Sequence, residues 1–164
     1  LCDGKGTDYA CAVRGFGPDT VELEILSRSA SVSEPGVRVT LYVGYPKQDK
    51  LETIVQKAVE LGAYAVVPVE TRRCVVKLDA KKAQKKVTRW QQISESAAKQ
   101  SKRMLIPEVK NVMNWKEALA FAKGLDVVLI PYELAQGMKE TRGNPGGNSA
   151  WTICGDFYWP GRRF

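Results

Sequence analysis

Four stretches of the sequence carry side chains that could do chemistry, and each lies where a regular element gives way to a loop. Tyr45-Pro46-Lys47-Gln48-Asp49-Lys50 follows an apolar run that ends at Gly44, and Glu70-Thr71-Arg72-Arg73-Cys74-Val75-Val76-Lys77 follows a second one. Open parallel sheets collect ligands at the C-terminal ends of their strands. Lys47 and Lys50 could therefore reach a phosphate, or sit in solvent beside a capped turn. Arg72 and Arg73 could clamp a phosphate bidentately, or form surface ion pairs. The third stretch, Ser94-Glu95-Ser96-Ala97-Ala98-Lys99-Gln100-Ser101-Lys102-Arg103, closes a long helical pattern. Its small residues permit close helix packing. Gln100 and Ser101 could bond a base or an RNA backbone, or be the polar end of a fraying helix. The fourth, Leu129-Ile130-Pro131-Tyr132-Glu133, ends a third apolar run. A carboxylate there could face a ribose hydroxyl or a cation, or only water.

Composition narrows these chemistries. The 164 residues contain no histidine, which removes Ser–His and Cys–His nucleophiles and most zinc sites. Cys2, Cys11, Cys74 and Cys154 are scattered, with no CxxC spacing, so a metal cluster is not expected and a reducing, cytoplasmic setting is. With no histidine as base, Cys74 reads as a packed thiol rather than a nucleophile. The net charge of +7 suits a polyanion such as RNA, although a solvated lysine face would give the same balance. No run approaches the ~18–20 apolar residues of a membrane span. The opening Leu1-Cys2-Asp3-Gly4 reads as mid-domain.

These groups need elements to hold them. Residues 1–33 alternate in short apolar-polar runs punctuated by Gly4, Gly6, Gly15, Gly17 and Pro18, the pattern of a small β-domain. Ser33-Glu34-Pro35-Gly36 reads as a linker. Val37–Val43 is a strand. Asp49, with Glu52 three residues on, predicts a capping box. Leu51, Ile54, Val55, Ala58 and Val59 form one helical stripe that Gly62 ends. Ala65–Val69 is a buried strand, which completes a βαβ unit and implies parallel pairing. A helix over 80–102 follows, with Val87, Trp90, Ile93, Ala97 and Ala98 inward and Lys81, Lys82, Lys85, Lys86 and Arg89 crowding its first half. A second capping box, Asn114 with Glu117, opens a helix through Ala122, and Asp126–Pro131 is a third buried strand. Residues 37–133 are therefore α/β. Gly44-Tyr45-Pro46-Lys47 is neither GxGxxG nor a P-loop, which argues against an ordinary doubly wound nucleotide-binding protein.

In this order, LCDGKGTDYACAV, the strand-PKxDK-helix unit, TRRCVVKL, RWxxISESAAKQSKR and LIPYE resemble the RsmE family of small-subunit ribosomal RNA uridine-N3 methyltransferases, from residue 1 to about 142. The resemblance implies a PUA-like β-barrel, of which residues 1–34 would be the C-terminal part. It also implies a SPOUT-type α/β domain of the trefoil-knot class, of which 35–142 would be an incomplete part without the knot segment, S-adenosyl-L-methionine as cofactor, small-subunit ribosomal RNA as partner, and a homodimer with no metal and no membrane. Carried onto this chain, Leu129, Ile130, Pro131 and Glu133 are the cofactor rim. Lys47, Lys50, Arg72, Arg73, Lys77, Gln100, Ser101 and Arg103 are the RNA candidates. The general base is not identifiable. Two departures are visible: Arg72-Arg73-Cys74 replaces Glu-Arg-Ser, and Lys102 replaces a glycine.

A third departure is larger. The family's glycine-rich Ile-Gly-Pro-Glu-Gly-Gly-Phe loop is due where this chain has Asp156-Phe157-Tyr158-Trp159-Pro160-Gly161-Arg162-Arg163-Phe164. Read from the second base of each codon, a back-translation of that tail gives the missing motif. Residues 143–164 are thus expected to be an out-of-frame reading of the knot segment, docked poorly or not at all, in a chain that binds cofactor weakly and is inactive. A genuine aromatic-basic tail on a non-catalytic RNA-binding module is the alternative.

Overall fold

The computed structural model describes residues 1–30, 34–44, 49–71, 74, 79–129 and the backbone of 151–154. Two strands, β1 (Thr7–Phe16) and β2 (Val21–Ala30), pair antiparallel, with register shifts after Ala10 and Val13. Every residue of β2 is exposed, Leu26 and Ile25 included. Together β1 and β2 make a two-stranded ribbon. Its leading turn docks on the α/β part: Gly6 N–H donates to Met104 O at 3.0 Å, and Ile106 N–H to Gly4 O at 3.2 Å.

The remainder is a parallel α/β sheet. β3 (Val39–Gly44), α1 (Lys50–Glu60) and β4 (Ala65–Glu70) form the expected βαβ unit. α2 (Ala80–Gln100) leads to the two-residue strands β5 (Glu108–Val109) and β6 (Met113–Asn114), which pair with the two ends of β4 as one interrupted edge. α3 (Trp115–Ala122) precedes β7 (Val127–Leu129), and β8 (Trp151–Cys154) comes last in the chain. In space the order is β5-β4-β3-β8-β7.

Alternation along the strands sorts the core into two layers. Leu41, Val43 and Val66 face α1 and α2, where Leu51, Val55, Val59, Val87, Trp90, Ala97 and Ala98 close over them. Tyr42, Val67 and Val69 face α3, against Ala118 and Ala122. Each aliphatic side chain buried this way contributes about 1.5–3 kcal/mol.

The helix boundaries have local causes. Asn114 and Glu117 form the predicted capping box on α3. Asp49 does not cap α1 with its side chain. Its carboxylate is taken by Lys86 Nζ at 3.3 Å, and Glu52 is taken by Arg89 at 3.4 Å. A tertiary clasp between α1 and α2 thus replaces the expected local box. α1 and α2 end alike. Gly62 N–H donates to Val59 O and Ala63 N–H to Ala58 O; Lys102 N–H donates to Lys99 O and Arg103 N–H to Ala98 O. Both are six-to-one, five-to-two closures that need a left-handed residue, and Gly62 (φ +98°) and Lys102 (φ +58°) supply it.

Of residues 143–164, expected to dock poorly or not at all, one short segment joins the sheet. Residues 151–154 form β8, in parallel register between Val39–Tyr42 of β3 and Val127–Leu129 of β7. Asp156–Phe164, where the displaced motif was read, lies outside the described residues.

Candidate functional site

The sheet has one topological switch point. From β3 the chain builds outward to β4 on one side, and β8 and β7 lie on the other. In open α/β sheets, connections leaving the strand ends at such a point diverge to opposite sides, and ligands collect there. Gly44 ends β3 without a side chain, level with Val69 of β4. Leu129 is in register with Ile153, which is itself in register with Leu41, so Leu129 lies three residues inside the Gly44 end of the sheet. It is half-buried. A crevice bounded by bare backbone at Gly44 and an apolar side chain at Leu129 suits a flat, largely apolar group that is fixed by main-chain hydrogen bonds. Ile130, Pro131 and Glu133 lie outside the described residues.

Beside the crevice, Thr71 and Cys74 close the turn after β4. Cys74 N–H donates to Thr71 O at 3.0 Å, and Thr71 N–H donates to Cys74 Sγ at 3.2 Å. Cys74 is half-buried and engaged in this turn, as a packed thiol would be. Arg72, Arg73, Lys77 and Lys47 lie outside the described residues.

The structure divides the other RNA candidates between the two ends of the domain. Lys50 is exposed at the start of α1, at the Gly44 end. Gln100, Ser101 and Arg103 lie at the far end of α2, a helix of 21 residues and so about 30 Å long. Gln100 is exposed. The Ser101 hydroxyl donates back to Ala97 O at 2.7 Å. Arg103 differs most from its expected role. Its side chain is 8% exposed, and its guanidinium donates to Val59 O in the last turn of α1 and to Ala63 O just beyond it, and pairs with Glu34. Glu34 also accepts from Met104 N–H at 2.9 Å and Leu105 N–H at 3.1 Å. Partial burial works to raise the Glu34 carboxyl, but the Arg103 guanidinium and these two amides outweigh it and hold the group below its usual value. Arg103 is thus a bracket between linker and helix ends, not a solvent-facing RNA contact. Its polar partners lie 40 to 69 positions away, beyond what local pattern can show.

Sequence reading named Gln100 but not the polar groove along α1 and α2 to which it belongs. The groove encloses about 410 Å³ and is lined by Gln56, Arg89, Gln92, Ser96 and Gln100, with Ile93 and Ala97 at its floor. The helical spacing of Gln92, Ser96 and Gln100 could have signalled a shared face. Among the described residues no three His, Cys, Asp or Glu side chains could hold a metal, and no helix is long and apolar enough to cross a membrane.

This switch-point architecture is that of a known class: the RNA methyltransferase domain family matches residues 33–155, and the chain belongs to it. It is similar to ribosomal RNA small subunit methyltransferase E of Bacillus subtilis, 37% identical over 132 residues, which are 80% of this chain and 52% of that protein. The enzyme of the same name from Mesomycoplasma hyopneumoniae is 34% identical over 128 residues, 78% of this chain and 56% of that one. The chain therefore spans about half the length of the curated relatives it matches. Among solved structures, a ribosomal RNA small subunit methyltransferase E from Neisseria gonorrhoeae bound to S-adenosyl methionine superposes with a TM-score of 0.72 at 29% identity, over 94% of this chain and 64% of that one.

Proposed function

We propose that this chain represents an S-adenosylmethionine-dependent methyltransferase acting on uridine N3 of small-subunit ribosomal RNA, built as a homodimer. The observation that carries the reading is the parallel register that brings Gly44 and Leu129 toward one end of the sheet, inside a segment that matches the RNA methyltransferase family. The cofactor would rest on the Leu129, Ile130, Pro131 and Glu133 rim, and when bound it supplies an electrophilic methyl on a cationic sulfur. The chain's own task is positional. N3 of uridine is engaged in base pairing, so the base must be exposed, relieved of its N3 proton and held in line with the methyl. Positive charge is lost from sulfur as the methyl moves, so alignment and exclusion of water count for more than stabilising new charge. Lys47, Lys50, Arg72, Arg73 and Lys77, which follow β3 and β4 in the chain, are the proposed phosphate contacts near the reacting base. Residues 1–34 are proposed as part of a PUA-like RNA-holding barrel, and 35–142 as a SPOUT domain that lacks its knot segment.

Residues 143–164 are proposed to carry the shifted reading of the glycine-rich loop, which leaves this chain with weak cofactor binding and no turnover. Transfer of labelled methyl to unmethylated small-subunit RNA tests both parts. We expect none from this chain, and transfer from a version carrying the shifted-frame residues in place of 143–164. Transfer by neither refutes the function; equal transfer by both refutes the impairment. A non-catalytic RNA-binding module would bind RNA and show transfer in neither form.

A further inference from the structure

The solvent face of α2 is unusual in both charge and order. Its 21 residues hold six cations, Lys81, Lys82, Lys85, Lys86, Arg89 and Lys99, and one carboxylate, the half-buried Glu95. Lys86 and Arg89 reach sideways to Asp49 and Glu52 of α1, and Lys82 pairs with Asp79 at 3.2 Å. Lys81 and Lys85 are exposed, and no acidic residue stands in the first turn. Like charges four residues apart repel, and cations oppose the positive end of the helix dipole. The free protein therefore carries an arrangement that an external polyanion would relieve.

The face is continuous. Lys81, Lys85, Thr88, Gln92, Ser96 and Lys99 are all exposed and recur at three- and four-residue steps, so they line one side of the helix. In the C-terminal half of the helix, Gln92, Ser96 and Gln100 open into the groove of about 410 Å³ shared with Gln56 of α1. Amide and hydroxyl groups both donate and accept, as the edge of a nucleobase or a ribose does. At the lysine end of α2, Lys86 pairs with Asp49, which follows Gly44 of β3 by five residues in the chain.

We propose that this face of α2 is a docking track for single-stranded RNA. Phosphates sit on Lys81 and Lys85, and a base or ribose enters the Gln92–Ser96–Gln100 groove. The proposal rests on the RNA reading above and adds a surface outside the Lys47, Lys50, Arg72, Arg73 and Lys77 set.

Binding to poly(U), followed by fluorescence anisotropy as a function of salt, tests it. Neutralising two phosphate contacts removes about 0.7 each from the slope of log affinity against log salt for a single strand. K81Q/K85Q is thus expected to flatten the slope by about 1.4 and to weaken binding several-fold at low salt, while K81R/K85R retains both. Q92A/Q100A is expected to weaken binding with the slope unchanged. Circular dichroism should show α2 intact in all three, since every substituted side chain is exposed. An unsubstituted chain that ignores poly(U) overturns the RNA reading and this track with it. An unsubstituted chain that binds, with K81Q/K85Q showing the same slope, overturns the track alone. Lysine-dependent binding to phosphatidylglycerol vesicles without binding to poly(U) overturns it in favour of a membrane surface.

Discussion

Arg103 and Glu34 meet across 69 positions of the chain, and through them the linker is tied to the ends of two helices at once. The Arg103 guanidinium satisfies Val59 O and Ala63 O at the end of α1. The Glu34 carboxylate satisfies the amides of Met104 and Leu105 just past α2. A cation beside the carbonyl end of a helix also complements its dipole. The ribbon's leading turn docks on the same 104–106 segment, so one charged pair sets how the ribbon's anchor meets the α/β layer.

Glu34→Gln keeps the shape of the side chain and removes its charge. It is expected to cost about 1–3 kcal/mol, as loss of charge-assisted hydrogen bonds does. The Glu34 carboxyl is held below its usual value in the folded state. Its contribution is therefore present above the unfolded-state value and is lost as pH falls through the lower, folded one. Urea unfolding should show the gap between the unsubstituted chain and Glu34→Gln closing as pH drops below about 4.5. A gap independent of pH would refute the ionic account.

Lys102 holds the left-handed position that Gly62 holds at the end of the preceding helix. A lysine there crowds its Cβ against the backbone, which glycine, having no Cβ, avoids. Lys102→Gly is expected to stabilise the chain by about 0.5–1 kcal/mol, read as a higher midpoint in thermal melts. Gly62→Ala should do the opposite, by more than 1 kcal/mol, because its new Cβ would also lie 2.9 Å from Pro35 Cγ.

Ser94 is fully buried, and its hydroxyl donates to Pro107 O at 2.7 Å. Gln91 donates to the same oxygen at 3.3 Å and accepts from Val109 N–H at 2.8 Å. These bonds hold the short edge strand β5 against α2. Ser94→Ala leaves Gln91 in place and should cost about 1 kcal/mol; Gln91→Ala removes two bonds and should cost more. Hydrogen exchange at the Val109 amide should speed up in both variants, and more in Gln91→Ala.

The parts of the fold legible in the sequence were those written in short-range pattern. The βαβ unit, the inward stripe of α2, the Asn114 box and the stop at Gly62 all rest on spacings of two to four residues. The Asp49 box failed because Lys86, 37 positions on, competes for its carboxylate. Arg103 looked like a surface cation for the same reason: its partners are near only in space. Lys102, seen in the sequence as a departure from a family glycine, found its meaning in a backbone angle. β5 and β6, at two residues each, are too short to show a period. Of the cofactor rim, the sequence named Leu129, but its register with Ile153 depends on β8, in a segment the reading had set aside.

The most direct test of the central claim, that the β3–β8 switch point is the cofactor crevice, is an S-adenosylmethionine titration followed by proton–nitrogen correlation spectra. The account expects weak, saturable shifts grouped at the amides of Gly44, Thr71, Leu129 and Cys154, with the β1–β2 ribbon unmoved. No shift at millimolar cofactor, or shifts confined to the ribbon or to the far end of α2, would contradict it.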